Sequence, residues 1–196
     1  MITKRQLLVK RIFDVVLAII LFPILIIPIF ILVIAATIDT KKYGVFSQLR
    51  VGQHGKLFKI YKIRTLREGK HQLGHLDKSA TSLGKFFRKA KLDELPQLFN
   101  VLAGDMSFVG PRPDIQGFAD ELQGDDRIIL LVKPGITGEA TLKYKDEERV
   151  LERQKDPDHY NRTIIWVDKV KINKNYVRNY SFYLDLRLII KSTLNK

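Results

Sequence analysis

From Val15 to Ala36 the chain reads VVLAIILFPILIIPIFILVIAA, 22 residues without a charge. No other stretch limits the fold so strongly, because a straight helix of that length reaches about 33 Å, enough to cross a hydrocarbon core. Three readings compete: a cleaved signal peptide, a simple transmembrane anchor, and a re-entrant helical hairpin that enters and leaves through one leaflet. The signal peptide is disfavoured, since the run is too long and TIDTKK follows it without a small-x-small site. Two features favour the hairpin. Pro23 and Pro28 lie mid-run, and each removes a helix hydrogen bond and imposes a kink. Both flanks are basic, with Lys4, Arg5, Lys10 and Arg11 before the run and Lys41, Lys42 and Arg50 after it. The positive-inside tendency places both ends in the cytoplasm, which a single straight span does not allow. The break is expected at Pro28.

The remaining chain is basic. Among 196 residues, 34 Lys+Arg stand against 21 Asp+Glu, a net charge of +13. That excess points to nucleic acid, an anionic membrane surface or phosphorylated ligands. There is no cysteine, which excludes disulfides, thiolate catalysis and cysteine-ligated zinc. No P-loop, GxGxxG or internal repeat occurs, so ATP-type and dinucleotide folds have no support.

Lys91 to Pro113, KLDELPQLFNVLAGDMSFVGPRP, carries the densest chemistry. Leu92, Leu95, Leu98, Phe99 and Leu102 recur at helical spacing. Pro96 belongs in a first turn, which puts the helix start beside the vicinal pair Asp93-Glu94, where unpaired N–H groups favour anions. Such a spot suits a phosphate ester and an ionised, nucleophilic carboxylate. On periodicity alone, Asp93 as an N-cap with Glu94 as a first-turn acid is the commoner arrangement. Arg112, between Pro111 and Pro113, sits on stiff extended backbone and presents a fork suited to phosphate oxygens.

Around that stretch, Val45 to Arg64 reads as a β-hairpin about Gly52-Gln53-His54-Gly55, made basic by Lys56, Lys59, Lys62 and Arg64. Residues 68–80 read as a polar loop; His71 and His75 have zinc-like spacing, but Gln72 and Gly74 argue against a metal pair. Thr81 to Lys91 alternates Leu83, Phe86, Phe87 and Ala90 with Lys85, Arg88, Lys89 and Lys91, the profile of an interfacial helix or of an ordinary basic surface helix. Residues 114–130 read as a helix, Lys133 to Gly138 as a turn cluster, and Tyr176 to Leu194 as a docking C-terminal helix.

LDELPQLFNVLAGDMSFVGPRP resembles the signature of the bacterial sugar transferases, the monotopic polyprenyl-phosphate phosphoglycosyl transferases. KRIFD at Lys10 to Asp14, FSQLRVGQHGKLFKIYKIRT, KPGITG and YVRNYSFYLDLRLIIKSTL extend the resemblance from about Lys10 to Leu194. It implies a mainly α fold with a small β-hairpin (α+β), in which residues 1–40 form a re-entrant anchor and 41–196 a cytosolic catalytic domain with interfacial amphipathic helices. The family's helix breaks near a Ser-Pro pair, whereas Phe22 and Ile27 precede the prolines here.

The resemblance further implies transfer of a phosphosugar from a UDP-sugar to undecaprenyl phosphate, with release of UMP, as the first membrane step of surface glycan assembly. Asp93 would be the covalent nucleophile, Mg²⁺ would lie on Asp93 and Glu94, and Arg112 would stabilise the transferring phosphorus. Arg88 and one of Lys59, Lys62 and Arg64 would face phosphate. The implied location is the cytoplasmic face of the bacterial inner membrane, on phospholipid and without nucleic acid; a homodimer is compatible with it. From Glu139 to Tyr160 the sequence departs from the family pattern. The rival class is a non-enzymatic basic membrane-surface protein that binds anionic lipid or nucleic acid, which explains the charge and the anchor but not the lone acidic pair followed by Pro-Arg-Pro.

Overall fold

The computed structural model describes residues 1–69 and 73–194, so the His71 half of the histidine pair lies outside the described residues. Helix α1 runs from Lys4 to Thr40, 37 residues, about 55 Å at the usual rise. Thr3 caps it, its hydroxyl accepting from the Gln6 N–H while the Gln6 side chain accepts from the Thr3 N–H. The helical backbone continues through Pro23 and Pro28, so the chain does not leave the helix at the expected break. Lys10, Asp14, Ala18, Ile29 and Ala36 are its buried positions, at spacings that keep them on one stripe. The other faces bare Ile12, Val16, Ile20, Ile24, Ile27 and Ile31, and only 11% of the most apolar window is buried. A core helix of a soluble protein would be covered on all such faces.

Both ends of α1 are fastened to the same body. At the start, the Met1 ammonium donates to the Arg178 carbonyl at 2.8 Å, and Lys10 Nζ sits 2.6 Å from Asp185 Oδ2 in a buried ion pair. The Asp14 carboxylate accepts from the Ser107 hydroxyl and the Phe108 N–H, and Arg11 donates to the Val101 and Leu102 carbonyls. At the other end Ala36 packs with Ile63 and Phe87, and the Thr81 hydroxyl donates to Asp39.

Strands β1 (Val45–Val51) and β2 (Leu57–Ile63) form the expected antiparallel hairpin, in register Val51↔Leu57 to Val45↔Ile63. Helices α2 (Leu76–Ser79), α3 (Ser82–Lys89) and α4 (Gln97–Ala103) follow, α3 capped by Thr81. The α4 residue Asn100, fully buried, donates to the Lys59 carbonyl and accepts from the Tyr61 N–H, which ties α4 to β2. Strand β3 (Ser107–Val109) pairs in parallel with β4 (Gly135–Thr137). The KPGITG segment read as a turn cluster therefore contains a strand. Its glycine is needed for close approach: a Cβ on Gly135 would lie 2.1 Å from the Gly110 nitrogen.

Helices α5 (Glu139–Lys143), α6 (Glu147–Glu152), α7 (Pro157–Tyr160), α8 (Trp166–Arg178) and α9 (Phe182–Leu194) complete the chain, with a π-helical turn joining α7 to α8. Two expectations change. Residues 114–130 form no α-helix but 3₁₀ segments at Ala119–Glu121 and Gly124–Leu131. Here the Asp120 carboxylate accepts the Gly117 and Phe118 N–H groups, a turn that competes with helix. The C-terminal helix is split, because Asn179 ends α8 and the Ser181 hydroxyl accepts from the Leu184 N–H to open α9. The result is mainly helical with two small sheets, and the core is a set of clusters, one around Val109, Tyr176 and Leu188, another around Ala18, Ile60 and Met106.

Candidate active site

Lys91 closes α3 in the left-handed region (φ 58°) and turns the chain into a single 3₁₀ turn, Leu92–Glu94. Asp93 and Glu94 ride on that turn, 7% and 8% exposed. They precede α4, whose N-cap is Pro96, so the pair lies one turn before the helix rather than in its first turn. With α4 only 7 residues long, side-chain charges rather than a helix dipole set the field at the pair.

The two carboxylates have different surroundings. Lys62 Nζ lies 3.2 Å from Glu94 Oε1, and Arg112 donates through both terminal nitrogens, one to each oxygen, the Nη1–Oε2 contact being 3.4 Å. Burial by itself would raise the Glu94 carboxyl, but the Arg112 guanidinium and the Lys62 ammonium outweigh it and hold it well below the usual carboxylate range. The same partnership raises Arg112 above its ordinary value. Asp93 has no such clamp. Its Oδ1 is buried without a hydrogen-bond partner, and burial, with the neighbouring Glu94 charge, pushes its carboxyl up. Glu94 thus holds the cations in place, and Asp93 keeps a free oxygen.

Both face a cavity of about 610 Å³. Lys62, Lys85, Arg88, Lys89, Lys91 and Arg112 line it, a concentration of positive charge around the acidic pair suited to a diphosphate. Arg112 is aimed by its neighbours: Pro111 and Pro113 are buried, and the Pro111 carbonyl accepts from the Gly135 N–H at 2.8 Å. The rest of the wall comes from residues 140–151 and from α8, where Lys169 pairs with Glu147 at 2.6 Å and the Tyr144 hydroxyl donates to Asp168 at 2.7 Å.

Of the three basic hairpin residues only Lys62 lines the cavity. The Lys59 side chain is exposed, and Arg64 donates to the Tyr43 carbonyl and lies over the Phe46 ring; neither lines this cavity. Arg88 does line it. A carboxylate pair as metal ligands fits only in part: both Glu94 oxygens already accept from cations, which leaves Asp93. No group of three or more metal-type side chains occurs among the described residues. His75 lies at the start of α2, its Nδ1 buried without a partner.

Several residues of the cavity wall were not foreseen. Asp114 lines the cavity beside Arg112, and burial pushes its carboxyl up to about 6. Its place directly after Pro-Arg-Pro was a usable signal. Thr141, Lys169 and Asn173 carry none, since only the packing of α5 on α8 brings them to the wall.

A family profile described as "Bacterial sugar transferase" matches residues 5–196. A Bacillus subtilis protein provisionally named undecaprenyl-phosphate N-acetylgalactosaminyl 1-phosphate transferase is 37% identical over 74% of this chain and 83% of its own length. The UDP-glucose:undecaprenyl-phosphate glucose-1-phosphate transferase of Klebsiella pneumoniae is 35% identical over 95% of this chain but only 40% of its own. The undecaprenyl-phosphate galactose phosphotransferase of Salmonella typhimurium is 32% identical over 76% of this chain and 32% of its own. The chain therefore spans well under half the length of the last two.

Proposed function

The chain belongs to the bacterial sugar transferase family, and from that premise we propose that it moves a sugar 1-phosphate from a UDP-sugar to undecaprenyl phosphate, releasing UMP. The observation that carries this reading is the asymmetry of the acidic pair: Glu94 is clamped by Arg112 and Lys62, while Asp93 offers an unpartnered oxygen to a cationic cavity. An Asp93 oxygen attacks the phosphorus that bears the sugar, and the bond from that phosphorus to the UMP oxygen breaks. UMP departs with that electron pair. An oxygen of undecaprenyl phosphate then attacks the same phosphorus, the bond to Asp93 breaks, and the carboxylate is restored. Arg112 and Lys62 stabilise the charge that gathers on the phosphoryl oxygens, positioned beforehand by Glu94.

A Mg²⁺ ion, which usually binds through one or two carboxylates together with substrate phosphates, would be held by Asp93 and would neutralise phosphate charge. Anchoring suits this chemistry. Although α1 is one continuous helix and not the hairpin expected, its bare apolar faces and the fastening of both its ends to one domain favour insertion from the cytoplasmic face of the bacterial membrane over a span that separates the ends. That arrangement holds the cavity near the headgroup plane where the lipid phosphate lies.

The test is intact-protein mass in nanodiscs with Mg²⁺ and a UDP-sugar panel, lipid acceptor omitted. A gain of one phosphosugar, absent in Asp93→Asn, is expected. If no adduct forms and no UMP is released once undecaprenyl phosphate is added, the transferase reading fails and a membrane-surface binding protein remains.

A further inference from the structure

The phosphate chemistry leaves two neutral polar side chains of the cavity wall unused. Asn173 on α8 is 5% exposed, and its amide makes no hydrogen bond among the described residues. Thr141 on α5 also lines the cavity, and its hydroxyl is buried without a partner. A desolvated hydroxyl left unpaired is unfavourable in the empty protein, so a ligand that supplies its partner gains from it, and the Asn173 amide on the same wall offers that ligand both a donor and an acceptor. Asp146, Glu147 and Glu148 contribute to the same cavity. Lys145, Arg149 and Lys169 line the cavity with them, Lys169 paired to Glu147, so this stretch is charge-balanced where the floor around Asp93 is cationic, and it suits a neutral ring rich in hydroxyl donors. In a UDP-sugar the group richest in such donors is the sugar, a neutral ring bonded directly to the phosphorus that Asp93 attacks.

We propose that Asn173 and Thr141 form the sugar-reading subsite and set which UDP-sugar is accepted. This rests on the transferase reading of the same cavity. An amide donates and accepts at once, so it distinguishes a hydroxyl from its epimer or from an acetamido group by where the partner lies.

The experiment compares wild type, Asn173→Ala and the near-isosteric Thr141→Val on UDP-glucose, UDP-galactose and their two N-acetyl counterparts, with UMP as a competing product inhibitor. For the preferred donor, kcat/KM falls about tenfold against the others, while inhibition by UMP is unchanged. Weakening of UMP inhibition in step would assign the wall to the nucleotide and overturn the proposal. So would an unaltered ranking in both variants. Should Asn173→Ala lower the unfolding temperature enough to obscure its kinetics, Thr141→Val alone decides by the same criteria. Wild-type protein that releases no UMP from any donor sinks the transferase reading and this subsite with it; wild-type turnover with unaltered ranking sinks the subsite alone.

Discussion

Arg112 and Glu94 act as a unit, and the fork geometry is what makes the unit work. Arg112→Lys keeps the charge but loses the planar fork that gives one N–H to each Glu94 oxygen, so it loosens the clamp and, on the proposed mechanism, withdraws a donor from the transferring phosphoryl group. The expected loss is about 10²-fold in the rate of UMP release, with little change in unfolding temperature. Asp114 gives a different signature. Burial, followed by the Glu147 charge, raises its carboxyl from 3.8 to about 6, so between those values the folded chain holds a proton that the unfolded chain has released. Stability therefore falls as pH rises from about 4 to about 6 and levels off above that. Asp114→Asn removes this slope and stabilises the protein at neutral pH by roughly 1 to 3 kcal/mol, measurable as unfolding midpoints across that pH range.

Among the elements, α3 depends on how closely it can approach the chain just beyond β2, at Thr65. A Cβ on Gly84 would fall 2.1 Å from the Thr65 carbonyl oxygen and 2.8 Å from the Thr81 hydroxyl. Because the first neighbour is backbone, Gly84→Ala must push α3 outward, at a cost of about 1 to 3 kcal/mol. Arg88 and the Lys91 turn move with α3, so KM for the UDP-sugar should rise along with the fall in unfolding temperature. An unchanged KM in a destabilised variant would separate α3 from the substrate. The extents of α3 and of the hairpin were legible because an amphipathic period and a glycine-framed turn are written in neighbouring residues. The segment 114–130 was misread because Asp120 satisfies N–H groups that a helix would have used. Strand β4 was missed because a three-residue parallel strand has no pattern of its own.

For the molecule as a whole, the attachment of α1 rests on a buried polar cluster. Lys10 pairs with Asp185, whose carboxylate also accepts from the Tyr176 and Tyr180 hydroxyls. Lys10→Met leaves that carboxylate buried beside two tyrosines without its cation and should cost about 3 to 5 kcal/mol. Lys10→Met with Asp185→Asn should recover part of it, read from unfolding midpoints in the same detergent; no recovery would mean that Lys10 acts through packing alone. The sequence by itself determined the apolar helix, the hairpin, the acidic pair and the Pro-Arg-Pro clamp, because each is written in neighbouring residues or in a helical or strand period. It left open which of Lys59, Lys62 and Arg64 meets the pair, why Glu94 and Asp93 differ, and what forms the far wall. Those were decided by tertiary structure alone. A charge at position 62 acquires its partner at 94, and Asn173 comes to the wall with Thr141, only when distant segments pack, and burial then fixes what each group can do.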